Sequence, residues 1–156
     1  MSITQFRDFA HSQPLEVWRF IKFATVGALG SITHFAIDNI LILLFRIPFV
    51  FANPVGFGAA VVQNFVLNRL WTFPESQSRS AKRQLTQFTI ISVIGLLINQ
   101  GVALAVRYLL GPTWVRVIGS EQLGSLVNDN FALAFAIGVV LIWNFAANRI
   151  WTYRGL

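Results

Sequence analysis

The chain has 156 residues, 55% apolar and 12% charged, about half the charged share of a soluble domain, and its mean hydropathy is +0.63. Twelve basic against six acidic residues give a net charge of +6, which suits nucleic acid or anionic lipid; uncharged runs of roughly twenty residues decide for lipid and against nucleic acid. There is no cysteine, which excludes disulfides, thiol catalysis and cysteine-based metal sites, and His11 and His34 lack metal-ligand spacing, so no metal or cofactor is expected.

Residues 1–19 read as a cytoplasmic or interfacial segment without the short apolar core and small-residue cleavage site of a signal peptide. Within it, Leu15 to Arg19 either form a short interfacial helix or simply begin the first membrane helix. That helix is predicted from Phe20 to Phe45, the second from Phe49 to Trp71, the third from Phe88 to Leu110 and the fourth from Phe131 to Trp151. Each is long enough to cross about 30 Å of hydrocarbon at about 1.5 Å per residue. Arg46, Ile47 and Pro48 make a tight connection, so the first two helices should form an antiparallel hairpin. Pro74 to Lys82 reads as a polar loop. Gly111 to Asn130, with Gly, Pro and Trp114, reads as a long connection containing an interfacial segment. The membrane domain spans 20–153, and 154–156 form a tail. The fold class is all-α integral membrane.

Basic residues set the orientation. With a cytoplasmic N-terminus, the inside holds nine of them: Arg7, Arg19, Lys22, Arg69, Arg79, Lys82, Arg83, Arg149 and Arg154. The outside holds three, Arg46, Arg107 and Arg116, so both termini are expected in the cytoplasm.

The chain repeats itself. Asn64 to Phe73 (NFVLNRLWTF) aligns with Asn144 to Tyr153 (NFAANRIWTY), with six identities and two conservative exchanges. The first and third helices correspond more weakly: Phe23 with Phe88, Gly30 with Gly95, His34 with Asn99. The four helices therefore read as two helical hairpins pointing the same way, the parallel class of repeat.

The repeated endings carry the sharpest chemistry. Asn64, Asn68 and Trp71 share a helix face, as do Asn144, Asn148 and Trp151. Arg69 and Arg149 fall at inner headgroup depth, where an arginine fork holds a phosphate through two parallel hydrogen bonds. Snorkelling arginines and belt tryptophans give the structural alternative. In the first helix Gly27, Gly30, Ser31, His34 and Asp38 lie along one stripe. A carboxylate near the bilayer centre costs about 2.5–3.5 kcal/mol, so Asp38 should face protein or water. Either Asp38 and His34 belong to a polar, proton-coupled path, or Asp38 is neutral or paired, with Arg46 or Arg107 as partner. Gln63, Asn99 and Gln100 add amides at mid-depth that serve either packing or that path. Lys22, Arg19 and the Arg79, Lys82 and Arg83 cluster suit anionic membrane lipids.

These residues resemble the GtrA-like family of small bacterial membrane proteins. The matching features are R-F-x-K-F-x-x-V-G-x-x-G at Arg19 to Gly30, A-N-P-V-G-F at Ala52 to Phe57, and the twin N-F-x-x-N-R-x-W-T endings. The resemblance covers about Arg19 to Tyr153. It implies a place in cell-surface polysaccharide synthesis at the bacterial inner membrane. The implied activity is moving a polyprenyl-phosphate-linked monosaccharide from the cytoplasmic to the periplasmic leaflet for use by a glycosyltransferase. On that expectation, Arg69, Arg149, Asn64, Asn68, Asn144, Asn148 and Lys22 bind phosphate and sugar, and His34, Asp38, Gln63 and Asn99 line the translocation path. Four helices give too little wall to enclose such a path, so a homodimer or higher oligomer is expected, with Gly27, Gly30, Gly56, Ala60 and Gly95 as candidate contacts. Two other readings are a scaffold that positions a glycosyltransferase and an exporter like the small multidrug transporters. No nucleophile, metal set or phosphate loop appears, so an enzyme is not expected.

Overall fold

The computed structural model describes the backbone of residues 3–154 and the side chains of residues 15–154. The side chains of Arg7 and His11, and Gly155 and Leu156 of the tail, lie outside the described residues. Every regular element among the described residues is helical: α1 (Ile3–Leu43), α2 (Phe49–Leu67), α3 (Ala81–Ile118) and α4 (Glu121–Ala147). Short π-helical turns follow α2 at Asn68–Thr72 and α4 at Asn148–Thr152, and a 3-10 turn occupies Pro74–Ser78. All four α-helices are long and apolar enough to cross a membrane. Their leucine, isoleucine and phenylalanine side chains are widely exposed, Phe35 to 72% and Leu97 to 67%, as a lipid-facing surface requires.

The chain divides into two compact units. The first, Met1–Phe88 with Trp151–Leu156, contains α1 and α2. Arg46 adopts φ 57° and Ile47 N–H donates to Leu41 O at 3.0 Å, turning the chain sharply before Pro48 and α2. Leu15 to Arg19 are part of α1 rather than a separate helix. Glycine lets α1 and α2 meet closely. A Cβ on Gly30 would collide with the Asn64 amide, and one on Gly56 with the Asp38 carboxylate. Phe23, Val26, Ala52, Ala60 and Phe65 fill the remaining interior.

The second unit, Thr89–Ile150, repeats this construction at the positions the sequence pairs. Gly95 takes the place of Gly30, and a Cβ there would come within 2.9 Å of Asn144 Oδ1. Ile91, Ala132 and Ala136 are buried like their counterparts Val26, Ala52 and Gly56. Gly30, Gly56 and Gly95, expected at a contact between chains, are thus occupied by contacts within the chain. Gly27, Gly58, Gly101 and Gly138 have open space instead.

The expected connection from Gly111 to Asn130 is not a loop. α3 continues to Ile118 and α4 starts at Glu121, so only Gly119 and Ser120 lie between them. Gly119 supplies φ +73°, the left-handed geometry that closes a helix C-terminus, and its N–H donates to Val115 O at 2.9 Å. Ser120 then caps α4, accepting from Leu123 N–H. A Cβ on Gly124 would lie 2.6 Å from Val115 Cα, so the two helix backbones touch at this tip. At 38 residues, α3 is about 57 Å long, well beyond the hydrocarbon thickness. The surplus residues, despite their Gly and Pro signals, simply extend the hairpin.

Candidate functional site

The repeated endings owe their shape to the asparagine and threonine spaced four apart. Asn68 is buried, and its Oδ1 accepts from the Thr72 hydroxyl at 2.8 Å. The wide turn closes where Phe73 N–H donates to Asn68 O at 2.8 Å. In the second copy, buried Asn148 donates to Asn144 O at 2.8 Å. The turns deliver Phe73 and Tyr153 to one place within the first unit, where their rings stack at 4.4 Å, fully buried. The two endings therefore share one membrane boundary. Burial pushes the Tyr153 phenol well above its usual range, and the Arg69 charge opposes that shift.

Arg69 organises the segment after this turn. Its guanidinium donates to Ser76 O at 3.3 Å, Gln77 O at 2.9 Å, Arg79 O at 2.9 Å and the Gln84 amide oxygen. Three backbone carbonyls and one side chain thus occupy the fork that the sequence offered to a phosphate. Lys22 is similarly engaged. Its ammonium lies 5.8 Å from the Trp18 ring and 5.4 Å from the Trp71 ring and donates to Trp71 O at 3.3 Å. Arg19 pairs with Glu16 at 2.9 Å and with Glu75, and lies 5.6 Å above the Phe73 ring. Asn64 and Asn144 close on Gly30 and Gly95, each with a buried Oδ1 that finds no donor.

The segment pinned by Arg69 forms one wall of a pocket of about 440 Å³. Arg79, Arg83 and Arg154 bring three guanidinium groups to it, with Gln84, Gln87 and the half-exposed Trp151 indole; among the described residues no carboxylate lines it. One Arg79 donor is held by Arg154 O, which ties the segment to the end of the second motif. The sequence marks Arg79 and Arg83 only as lipid-attracting charges; that Arg154 and Trp151 join them follows from the fold. The repeat was the available signal, because it put Trp71 and Trp151 at matching depth. Such a pocket can hold a phosphodiester against the guanidinium forks and a sugar ring against the indole.

A second polar cluster lies within the α1–α2 hairpin. Asp38 Oδ2 is 3.2 Å from His34 Nε2 and accepts from Asn53 Nδ2 at 3.2 Å; Asn53 Nδ2 is 3.1 Å from His34 Nε2. Asp38 is buried and its Oδ1 has no hydrogen-bond partner. Neither Arg46 nor Arg107 is its partner: Arg107 pairs with Asp129 at 2.7 Å. Asn53 was missed because the pattern A-N-P reads as a helix start rather than as a ligand to a carboxylate. Gln63 Oε1 accepts from the Thr33 hydroxyl at 2.6 Å in the same hairpin, whereas Asn99 belongs to the second unit. Gly56→Ala is expected to push a methyl group into Asp38 and His34 and to destabilise the chain by about 1–3 kcal/mol. Gly58→Ala, with open space at its Cβ, should leave thermal unfolding in detergent unchanged.

The helices, their lipid-facing surface and the shared basic boundary define a multi-pass α-helical membrane protein. The GtrA/DPMS transmembrane domain family matches residues 22–153, and the chain belongs to that family. Membership ties it to polyprenyl-phosphate-sugar processes. No curated protein matches the chain.

Proposed function

We propose that the chain moves a polyprenyl-phosphate-linked monosaccharide from the cytoplasmic to the periplasmic leaflet of the bacterial inner membrane. The observation that carries this reading is the pocket in which three arginines stand together beside an exposed indole. The phosphate binds Arg79, Arg83 and Arg154, and the sugar stacks on Trp151. Arg69, through its segment, and Asn68 and Thr72, through the turn, hold this site in shape. The termini and this boundary are cytoplasmic, following the charge bias.

The headgroup then follows polar side chains through the hydrocarbon while the prenyl tail stays in lipid. Thr33, Gln63, His34, Asn53 and Asp38 supply such groups on the α1–α2 hairpin, and Asn99 supplies one on α3. A scaffold has no need of a buried intramembrane carboxylate, whose insertion costs about 2.5–3.5 kcal/mol, so the His34–Asp38–Asn53 cluster favours transport. The chain performs no covalent chemistry; a glycosyltransferase on the far side consumes the delivered sugar. A second copy of the chain completes the wall of the path.

The test is leaflet-resolved transfer of a defined polyprenyl-phosphate hexose in vesicles containing purified protein, read by periodate oxidation of the outward-facing sugar. Transfer should rise in proportion to protein content. A rate equal to that of protein-free vesicles overturns the reading.

A further inference from the structure

A second pocket, of about 380 Å³, lies between α3 and α4 in the extended hairpin. Asn128, on its wall, is twenty residues and so about 30 Å along the helix from Asn148, about one hydrocarbon thickness away from the second copy's ending. Arg107, Tyr108, Gly111, Ser125 and Asp129 line it with Asn128. We infer that this pocket binds the neutral ring of a sugar through its hydroxyl groups.

Charge balance separates it from the basic pocket. Arg107 and Asp129 form a two-bonded pair, Nε to Oδ1 at 2.7 Å and a terminal nitrogen to Oδ2 at 3.2 Å. The pocket is formally neutral, so it has no net attraction for a phosphate, yet it offers a guanidinium donor and carboxylate acceptors side by side. Adjacent hydroxyls of a pyranose present the complementary set. Stability does not explain the pair: its side chains are 54% and 46% exposed, and such surface pairs contribute about 0–1 kcal/mol.

Asn128 supplies an independent observation. It is 4% exposed, its Nδ2 donates to Arg107 O at 3.0 Å, and its Oδ1 has no donor. A buried acceptor left unmet costs about 1–3 kcal/mol, so packing within the hairpin alone does not account for an amide on this wall. Tyr108, 84% exposed beside it, offers an aromatic face to the apolar side of a ring. The volume falls within the small-molecule range of about 300–1,000 Å³. Nor is the pocket inherited from the repeat. The positions in the first hairpin that match Arg107, Tyr108, Asn128 and Asp129 are Ile42, Leu43, Pro48 and Phe49, none of which carries a polar side chain.

The biological meaning, a receiving site for the transported sugar, rests on the transport reading; the binding does not. The full chain in nanodiscs is titrated with methyl hexopyranosides and separately with a short-chain prenyl-phosphate hexose, read by saturation-transfer NMR. A methyl hexopyranoside should bind in the millimolar range, and Asp129→Asn or Arg107→Gln should weaken it about tenfold without altering thermal unfolding. Tyr108→Ala, at an exposed position, serves if either of those fails to fold. Tighter binding of the prenyl-linked sugar identifies the lipid-linked form as the ligand, and equal binding identifies the free sugar. No glycoside signal at tens of millimolar, or equal signal in all variants, overturns the inference. Glycoside binding in a chain that fails the vesicle assay leaves this site standing and removes the transport reading.

Discussion

Arg69→Gln is expected to be the most destabilising single substitution at the basic boundary. The guanidinium satisfies Ser76 O, Gln77 O, Arg79 O and the Gln84 amide together, and no smaller donor reaches all four. A hydrogen bond from a charged donor contributes about 1.5–3 kcal/mol, and two of these four go to exposed carbonyls where water competes. A net loss of about 3 kcal/mol follows, a fall on the order of 6–12 °C in unfolding temperature for a chain of this length. Arg69→Lys keeps the charge but has a compact ammonium in place of a planar fork, so it should recover only part of the loss. Removing the charge also removes the influence that holds the Tyr153 phenol down, so its titration should move still higher in Arg69→Gln. Thermal unfolding in detergent and a spectroscopic titration of the tyrosines check both parts. An unfolding temperature unchanged in Arg69→Gln would mean that the segment holds itself.

The same residue shows where sequence reasoning reaches and where it stops. Hydropathy located four spans because crossing a membrane imposes length and composition directly on the sequence. The duplicated motif foretold a shared boundary for the two endings, and the stacked Phe73 and Tyr153 rings bear that out. What a side chain binds is a different matter. Arg69 at headgroup depth suits phosphate and loop carbonyls equally, and only the fold of Pro74 to Arg79 decides, since it turns three carbonyls toward the guanidinium. The residues that remain for a headgroup, Arg79, Arg83 and Arg154, come from two distant stretches that no local pattern joins. Asn53 likewise reaches Asp38 only because α1 and α2 close on Gly56. At the far end, Gly119 and Ser120 are a helix stop followed by a helix cap. In the run from Gly111 to Asn130, the glycines and Pro112 read as a loop, although Gly111 and Gly124 are there to let the helices touch.

Neutralising the basic pocket is expected to have the larger effect on function. Replacing Arg79, Arg83 and Arg154 together by Gln leaves a polar pocket with none of its three charges, and protein-dependent transfer of a polyprenyl-phosphate hexose should be abolished. These arginines are exposed, so each interaction with a phosphate is screened by salt over about 8 Å at physiological ionic strength. Single substitutions should therefore reduce headgroup affinity about tenfold at low salt and less at high salt. The triple Lys variant separates two physical origins of that affinity. It keeps the field while losing the forks, so half-retained transfer means attraction alone brings the lipid in, and loss equal to the Gln variant means the forks hold it. Trp151→Ala tests the other half of the site. An indole that stacks on the sugar contributes nothing to a bare polyprenyl phosphate, so this substitution should slow the sugar-linked lipid and leave the bare one unchanged. If it slows both equally, Trp151 acts as a boundary anchor and the sugar is recognised elsewhere. If the triple Gln variant transfers lipid at the native rate while remaining folded, the headgroup does not enter at this pocket.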